Sequence, residues 1–459
     1  MKIHILGICG TFMGGLAALA RADGHTVIGS DENVYPPMST QLDELGITVF
    51  EGYDPGHFDG DEDLVLIGNA LSRGNPAVEH VLNARLPYTS GPRWLGENYL
   101  SGRRVLAVAG THGKTTTASM LAWILDHAGR KPGFLIGGVP INFGLSARTG
   151  DEWFVVEADE YDTAFFDKRS KFVHYRPEIA ILNNLEYDHA DIFPDLKSIQ
   201  TQFHHLIRTI PGNGRIVTHV ADANLREALN WGCWTPTSGF ALADHDQAPW
   251  QVRLLEPSAR RLAFIHDGET IAELDWAISG RHNALNALAA VAAAQATGVD
   301  PARAVEALEK FKGVRRRLEL INEIAGIRIY DDFAHHPTAI RLTLEGLRRS
   351  VGNARILVAL EPASNTMRAG HHFNDLAPAL TAADHVWFKT TESMDWDPLE
   401  VLARLDGDGR PRRQVANLVA DLVNAARPGD HVVFMSNRGF DNASRRLVEA
   451  LQEQSAQSQ

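Results

Sequence analysis

The segment Gly110-Thr111-His112-Gly113-Lys114-Thr115-Thr116-Thr117 sets two glycines, a lysine and a run of hydroxyls close together. That combination suits the phosphates of a nucleotide. Backbone N–H groups at a glycine-bearing turn and at a helix start surround phosphate oxygens, and the helix dipole adds positive charge there. The Lys114 ammonium can reach the outer phosphates, and the Thr115 hydroxyl can ligate Mg2+. The usual loop would need glycine at Val108, so this is a compact variant. Two carboxylate-rich segments follow, Glu157-Ala158-Asp159-Glu160 and Asn183-Asn184-Leu185-Glu186-Tyr187-Asp188-His189. Each ends an apolar run, where ligands collect in open α/β sheets. Hard oxygens plus the His189 imidazole suit Mg2+ or Mn2+. A nucleotide loop alone leaves kinase, motor, NTP-driven switch and ligase open.

Such segments must be carried by strands that stop side by side. Nearly continuous apolar runs at 2–8, 26–29, 64–68, 105–109, 153–156, 179–182, 328–330, 355–360, 385–388 and 431–435 predict parallel strands covered on both faces. Helical stretches alternate with them, including 118–127 and an alanine-rich run at 287–294, too short to span a bilayer. The fold class is α/β, and a length of 459 residues calls for about three cores. A polar, glycine-bearing stretch at 90–104 and a basic connector at 311–318 divide the chain into 1–98, 99–313 and 314–459. Short strands and turns at 232–275 predict an antiparallel extension of the middle domain, and the polar tail 452–459 is expected to fray.

Lys plus Arg total 44 against 57 Asp plus Glu, a net charge of −13, which argues against a nucleic-acid or membrane-surface binder. Anionic substrates must therefore meet local clusters of Arg and Lys. With two cysteines, Cys9 and Cys233, a disulfide framework and a cysteine-rich metal site are excluded. The opening MKIHILGICG enters a strand without a charged leader, so a cytoplasmic protein is expected.

Six motifs in order, GTHGKTTT (110–117), EADE (157–160), NNLEYDH (183–189), SGRHNALNA (279–287), GVRRRLE (313–319) and DDFAHHP (331–337), resemble the Mur ligase family, ATP-dependent amide ligases of bacterial cell-wall synthesis. The resemblance implies a Rossmann-like N-terminal domain, a central P-loop domain and a Rossmann-like C-terminal domain. It implies ATP held by Gly110, Thr111, His112, Gly113, Lys114, Thr115 and Thr116, with His282, Asn283 and Asn286 at the adenine. Two Mg2+ ions are expected, one at Thr115 and Glu157, a second at Glu157 and His189. Arg316 or Arg317 would neutralise phosphate as the third domain closes. Asp331 and Asp332 would face ATP, and His335 or His336 would serve as base for the incoming amine. At the N-terminus Gly7, Gly10 and Gly14 imitate a dinucleotide turn, but their spacing is not GxGxxG, so a nicotinamide oxidoreductase rests on little. In the family this region binds UDP-sugar, which points to Gly7, Gly10, Thr11, Phe12, Met13, Gly14, Ser30, Asp31, Asn69, Ser72 and Arg73.

Several family members carry a carbamylated lysine about fifteen residues past the metal histidine. The stretch 202–205 has none, and Lys197 lies too early. The branch that uses UDP-N-acetylmuramate itself also lacks it. Within that branch, alanine-adding members carry a His-Arg pair and another Arg where Ala363, Ser364 and Met367 stand here. The runs 8–17, 29–42 and 364–367 instead resemble members that add a whole peptide recycled from old wall. The implied reaction joins UDP-N-acetylmuramate to L-Ala-γ-D-Glu-meso-diaminopimelate through an acyl phosphate, with Ser364, Asn365 and Arg368 meeting the peptide; alanine addition is the alternative. The expected partners are these small molecules and ATP, with no nucleic acid or membrane, in a monomer or weak dimer.

Overall fold

The computed structural model describes residues 1–34, 38–245, 248–391, 393–405 and 409–457. Tyr35, Pro36 and Pro37, part of the 29–42 run, lie outside the described residues. Among the described residues the chain builds three principal sheets. The first has five parallel strands in the order Thr48–Glu51, Thr26–Asp31, Lys2–Leu6, Leu64–Ile67, Tyr88–Ser90. Its direction of winding reverses beside Lys2–Leu6, which opens a crevice between the Gly7 turn and the segment after Ile67.

The middle sheet has ten strands, with Arg104–Ala109 at its centre between Ile179–Leu182 and Trp153–Ala158. The predicted extension is only partly antiparallel. Thr237–Leu242 pairs parallel to Arg215–His219, because the helix Ala223–Asn230 supplies the crossover that parallel pairing needs. Trp250–Leu254 is parallel to Thr237–Leu242, and Arg261–His266 and Glu269–Asp275 complete the edge antiparallel. The third sheet runs Glu319–Ile324, Ile327–Asp332, His431–Met435, Ile356–Leu360, His385–Lys389, Arg410–Arg412, parallel except at its first pair.

The stretch 90–104 is no free linker. It folds into Gly91–Trp94 and Leu95–Tyr99, and Trp94, Leu95 and Tyr99 are buried in a cluster shared by the first two sheets. Nor does the tail fray as expected: the helix Ala443–Gln457 takes in most of it, built from good helix formers. No helix among the described residues is long and apolar enough to cross a membrane.

Candidate active site

The segments after Arg104–Ala109, Trp153–Ala158 and Ile179–Leu182 open at one edge of the middle sheet. Gly113 has φ +76°, and a Cβ there would meet Asn286 Oδ1 at 2.6 Å, so conformation and space both require glycine. It caps the helix Lys114–His127, which starts ahead of the predicted 118 because the threonines form its first turn. Lys114 Nζ donates to the Gly110 carbonyl at 2.7 Å and to Glu160 at 2.8 Å. Burial opposes its charge, but Glu160 and Asp159 overcome this and raise its pKa.

Thr115 Oγ1 donates to Glu157 Oε1 at 3.1 Å, and the other Glu157 oxygen accepts from Gly137 N at 2.7 Å. Thr115 and Glu157 therefore meet, as one cation would need. His189 lies elsewhere than expected: its Nε2 is 3.4 Å from Glu160 Oε1, and Asp159, Glu160 and His189 offer ligand atoms within 4.8 Å of one another. Glu160 and Asp159, rather than Glu157, flank it. Burial lowers the His189 pKa, but Glu160 and Asp188 outweigh burial and raise it to about 9. Carboxylate oxygens, a hydroxyl and one imidazole form a donor set suited to Mg2+.

A cavity of about 460 Å³ lies between this edge and the helix Pro337–Val351, a size that suits a nucleoside. His112, Gly113, Thr116, His282, Asn283 and Asn286 line it. Asn286 Oδ1 accepts from Asn183 Nδ2 at 3.2 Å, and Asn286 Nδ2 donates to Asn283 Oδ1 at 3.3 Å. Burial lowers the His282 pKa to about 4, and its Nδ1 has no partner among the described residues, leaving a neutral ring with a free nitrogen. Asn183 and Asn184, to which the sequence motif assigns no individual role, join this site. Asn184 Oδ1 accepts from His112 N at 2.8 Å and so shapes the loop.

The third domain touches the loop through Arg317, whose guanidinium donates to Thr115 Oγ1 at 3.0 Å and stacks on Phe333 at 4.8 Å. Arg316, the other candidate, has φ +58°, turns away, and donates to the carbonyls of Ser436 and Arg438 at 2.7 and 2.6 Å. Asp331 pairs with Arg316 at 3.4 Å, yet burial raises its pKa to about 6. Asp332 lines the cavity, but its oxygens accept from the Leu318 and Ala334 amides at 2.6 and 2.7 Å, which makes it a brace for the connector.

The two candidate bases separate clearly. His336 caps Pro337–Val351, accepting from Thr338 N at 3.2 Å on Nδ1, and its Nε2 lies 3.3 Å from the Tyr187 carbonyl. Both nitrogens are thus engaged, and burial drops its pKa to about 3. His335 lies with Nδ1 3.0 Å from the Phe333 carbonyl, an arrangement in which Nδ1–H donates and Nε2 is left as an acceptor. Burial puts its pKa at about 4. Glu186, unassigned in the sequence, ties the domains together: it accepts from Thr338 Oγ1 at 2.7 Å and lies 3.3 Å from His112 Nε2.

Ser364 caps the short helix Asn365–Arg368. Asn365 Nδ2 donates to Asp191 Oδ2 at 3.1 Å, and Arg368 donates to Asn365 at 2.6 Å. Ala363 and Met367 are buried, and neither offers a charge to a carboxylate. At the first sheet, Gly10 starts the helix Thr11–Ala22 with no side-chain cap among the described residues, and its N–H donates to Gly7 O at 3.2 Å. Thr11, Phe12, Asn69 and Ser72 keep exposure around that start. Met13, Gly14 and Ser30 are buried, Ser30 between His4 and His57, so they shape the crevice from behind. Asp31 braces the turn by accepting from Cys9 N and Asn33 N, each at 2.9 Å, and exposed Arg73 is paired with Glu79 at 2.9 Å.

Three family profiles cover this arrangement: Mur ligase family, catalytic domain, at 2–101; Mur ligase middle domain at 108–294; and Mur ligase, glutamate ligase domain, at 316–438. The UDP-N-acetylmuramate–L-alanyl-γ-D-glutamyl-meso-2,6-diaminoheptandioate ligase of Escherichia coli is 53% identical over 98% of each chain. A murein peptide ligase of known structure from Psychrobacter arcticus is 46% identical over 98% of each chain, with a TM-score of 0.78. The UDP-N-acetylmuramate–alanine ligase of Thermotoga maritima superposes with a TM-score of 0.83 at 26% identity, covering 99% of this chain and 100% of its own. The chain belongs to the Mur ligase family.

Proposed function

We propose that this chain is the ATP-dependent ligase that joins UDP-N-acetylmuramate to L-Ala-γ-D-Glu-meso-diaminopimelate in peptidoglycan recycling, releasing ADP and phosphate. One observation carries the use of ATP: Lys114, Thr115, Glu157 and Arg317 converge from two domains on one loop mouth beside a nucleoside-sized cavity, and the family supplies the ligase class. The acceptor follows the relative of that name that is 53% identical along almost the whole chain. The 0.83 TM-score with an alanine ligase reflects a shared domain arrangement and does not select an acceptor.

In this reading 1–98 holds the UDP-sugar, 99–313 holds ATP and 314–459 brings the peptide. Lys114 and Arg317 hold the phosphates, and Asn286 with His282 receives the adenine. Thr115 and Glu157 would hold one Mg2+, and Glu160, Asp159 and His189 would hold another. When bound, the ions offset phosphate charge. The lactyl carboxylate attacks the γ-phosphorus to give an acyl phosphate and ADP. The peptide's amine then attacks the acyl carbon and phosphate leaves. His335 Nε2, unprotonated at neutral pH, takes the amine proton, while His336 fixes the helix start. Closure of the third domain excludes water.

Phosphate release with ATP, Mg2+ and UDP-N-acetylmuramate, compared between L-alanine and the tripeptide, tests this. Release that depends on the tripeptide is expected. Release with L-alanine alone would reassign the acceptor, and phosphorylation without amide formation would reassign the class.

A further inference from the structure

Lys171 stands outside every role assigned above. It follows the hairpin of Asp162–Ala164 and Asp167–Ser170, and its side chain is only 11% exposed. Nζ donates to Asp159 Oδ2 at 2.7 Å. Among the described residues Nζ makes no other hydrogen bond, so two of its three N–H donors remain for a ligand.

Its position is informative. The ammonium lies 5.9 Å from the Phe12 ring centroid and 5.6 Å from that of Tyr161. Phe12 belongs to the first turn of Thr11–Ala22, at the UDP-sugar end. Asp159 shares a cluster with Glu160 and His189, and Glu160 holds Lys114. Lys171 therefore bridges the two half-sites. The hairpin before it is anchored on the first domain: Phe165 packs among Leu6, Val65 and Ile67, and Phe166 meets Tyr88 edge-on at 5.1 Å.

A carboxylate that is to attack ATP must come close to Glu157, Asp159 and Glu160, whose charge it meets wherever Lys114 and bound ions do not offset it. A fixed ammonium on the side of approach offsets that repulsion. Lysine is apt there, as a compact charge with donors to spare. We infer that Lys171 receives the carboxylate of the nucleotide-sugar acid and aims it at the phosphate held by Lys114. This rests on the reading of UDP-N-acetylmuramate as substrate.

The test compares UDP-N-acetylmuramate with UDP-N-acetylglucosamine, the same nucleotide sugar without the lactyl carboxylate, by displacement titration, which reaches weak ligands. Lys171→Gln should weaken the acid by about 10- to 100-fold, the range for a charge-assisted hydrogen bond, and leave UDP-N-acetylglucosamine binding unchanged. Lys171→Arg, which keeps the charge and folds more safely, should give a smaller loss confined to the same ligand. Equal losses for both sugars, or none for either, would overturn the inference while leaving the substrate assignment intact. Wild-type protein that fails to bind UDP-N-acetylmuramate would overturn both.

Discussion

The seam between the first and second sheets and the seam between the second and third are made of different materials. The first is apolar. Trp94, Leu95 and Tyr99 join strands of both sheets in one cluster that includes Ile3, Leu66, Phe154 and Phe203, and Gly15 lets the helix Thr11–Ala22 approach Leu135 where a Cβ would collide. The second is mostly polar: Arg317 to Thr115, Thr338 to Glu186, Asn365 to Asp191, with Val314 and the close approach of Gly346 to Gly280 as its apolar contacts. The two main apolar clusters of the third domain hold only its own residues. Parting an apolar seam exposes surface at about 25 cal/mol per Å², whereas each polar bond is exchanged for water at a net cost of about 0.5–1.5 kcal/mol. The first joint should therefore be the firmer of the two, and the second the one that opens. That is the order an enzyme needs if ATP must enter between the middle sheet and the third domain.

Mutations on each side of the contrast should separate chemistry from construction. Lys114→Ala should lower kcat by about a thousandfold or more, since the phosphates lose their main protein cation, with UDP-sugar affinity unchanged by calorimetry. Retained turnover would contradict the assigned role. Trp94→Ala should cost about 3–5 kcal/mol in denaturant unfolding, the loss expected for a large buried aromatic, with kcat of the folded fraction preserved. Arg317→Ala should reduce kcat by about a hundredfold and cost about 1–2 kcal/mol in stability, because Thr115 keeps its bond to Glu157 while the stacking on Phe333 and the charge facing Asp332 are lost.

The chemistry was more legible than the seams. The loop and its flanking carboxylates declare themselves because their spacing is local, and strand ends deliver them to one edge. The aromatic residues of 90–104 were hidden among Gly, Ser and Arg, so a buried joint read as a polar domain boundary. Arg316 and Arg317 are adjacent, and only the left-handed backbone at Arg316 sends them to different partners. His336 did carry a signal: a residue before Pro337 is placed to cap a helix. The neighbours of His189 come from another strand end, a placement that spacing along the chain does not encode.

The pH profile probes the second seam from the side of the amine. Burial sets His335 near pKa 4, so it stays unprotonated through the neutral range. The peptide's α-amine, at about 8, must then set the acid limb. The kcat/KM for tripeptide should rise about tenfold per pH unit up to about 8 and level off above it. A limb near 6.5 would mean that a histidine with an ordinary pKa takes the proton instead.

The smallest effect is the sharpest check on the contrast. Thr338→Val keeps the side chain's shape and removes the hydroxyl that donates to Glu186 at 2.7 Å. Burial pushes the Glu186 carboxyl up, but its bonds to His112 and Thr338 hold it at about 2, and its side chain remains 37% exposed. Water can therefore take the place of the hydroxyl, and His112 keeps the carboxylate anchored to the loop. The loss should be about 1 kcal/mol or less, seen as a KM for ATP raised by no more than about fivefold, with the urea midpoint almost unmoved. If this variant destabilised the protein as much as Trp94→Ala, the second seam would be as integral to the fold as the first, and a third domain that opens to admit ATP would be untenable.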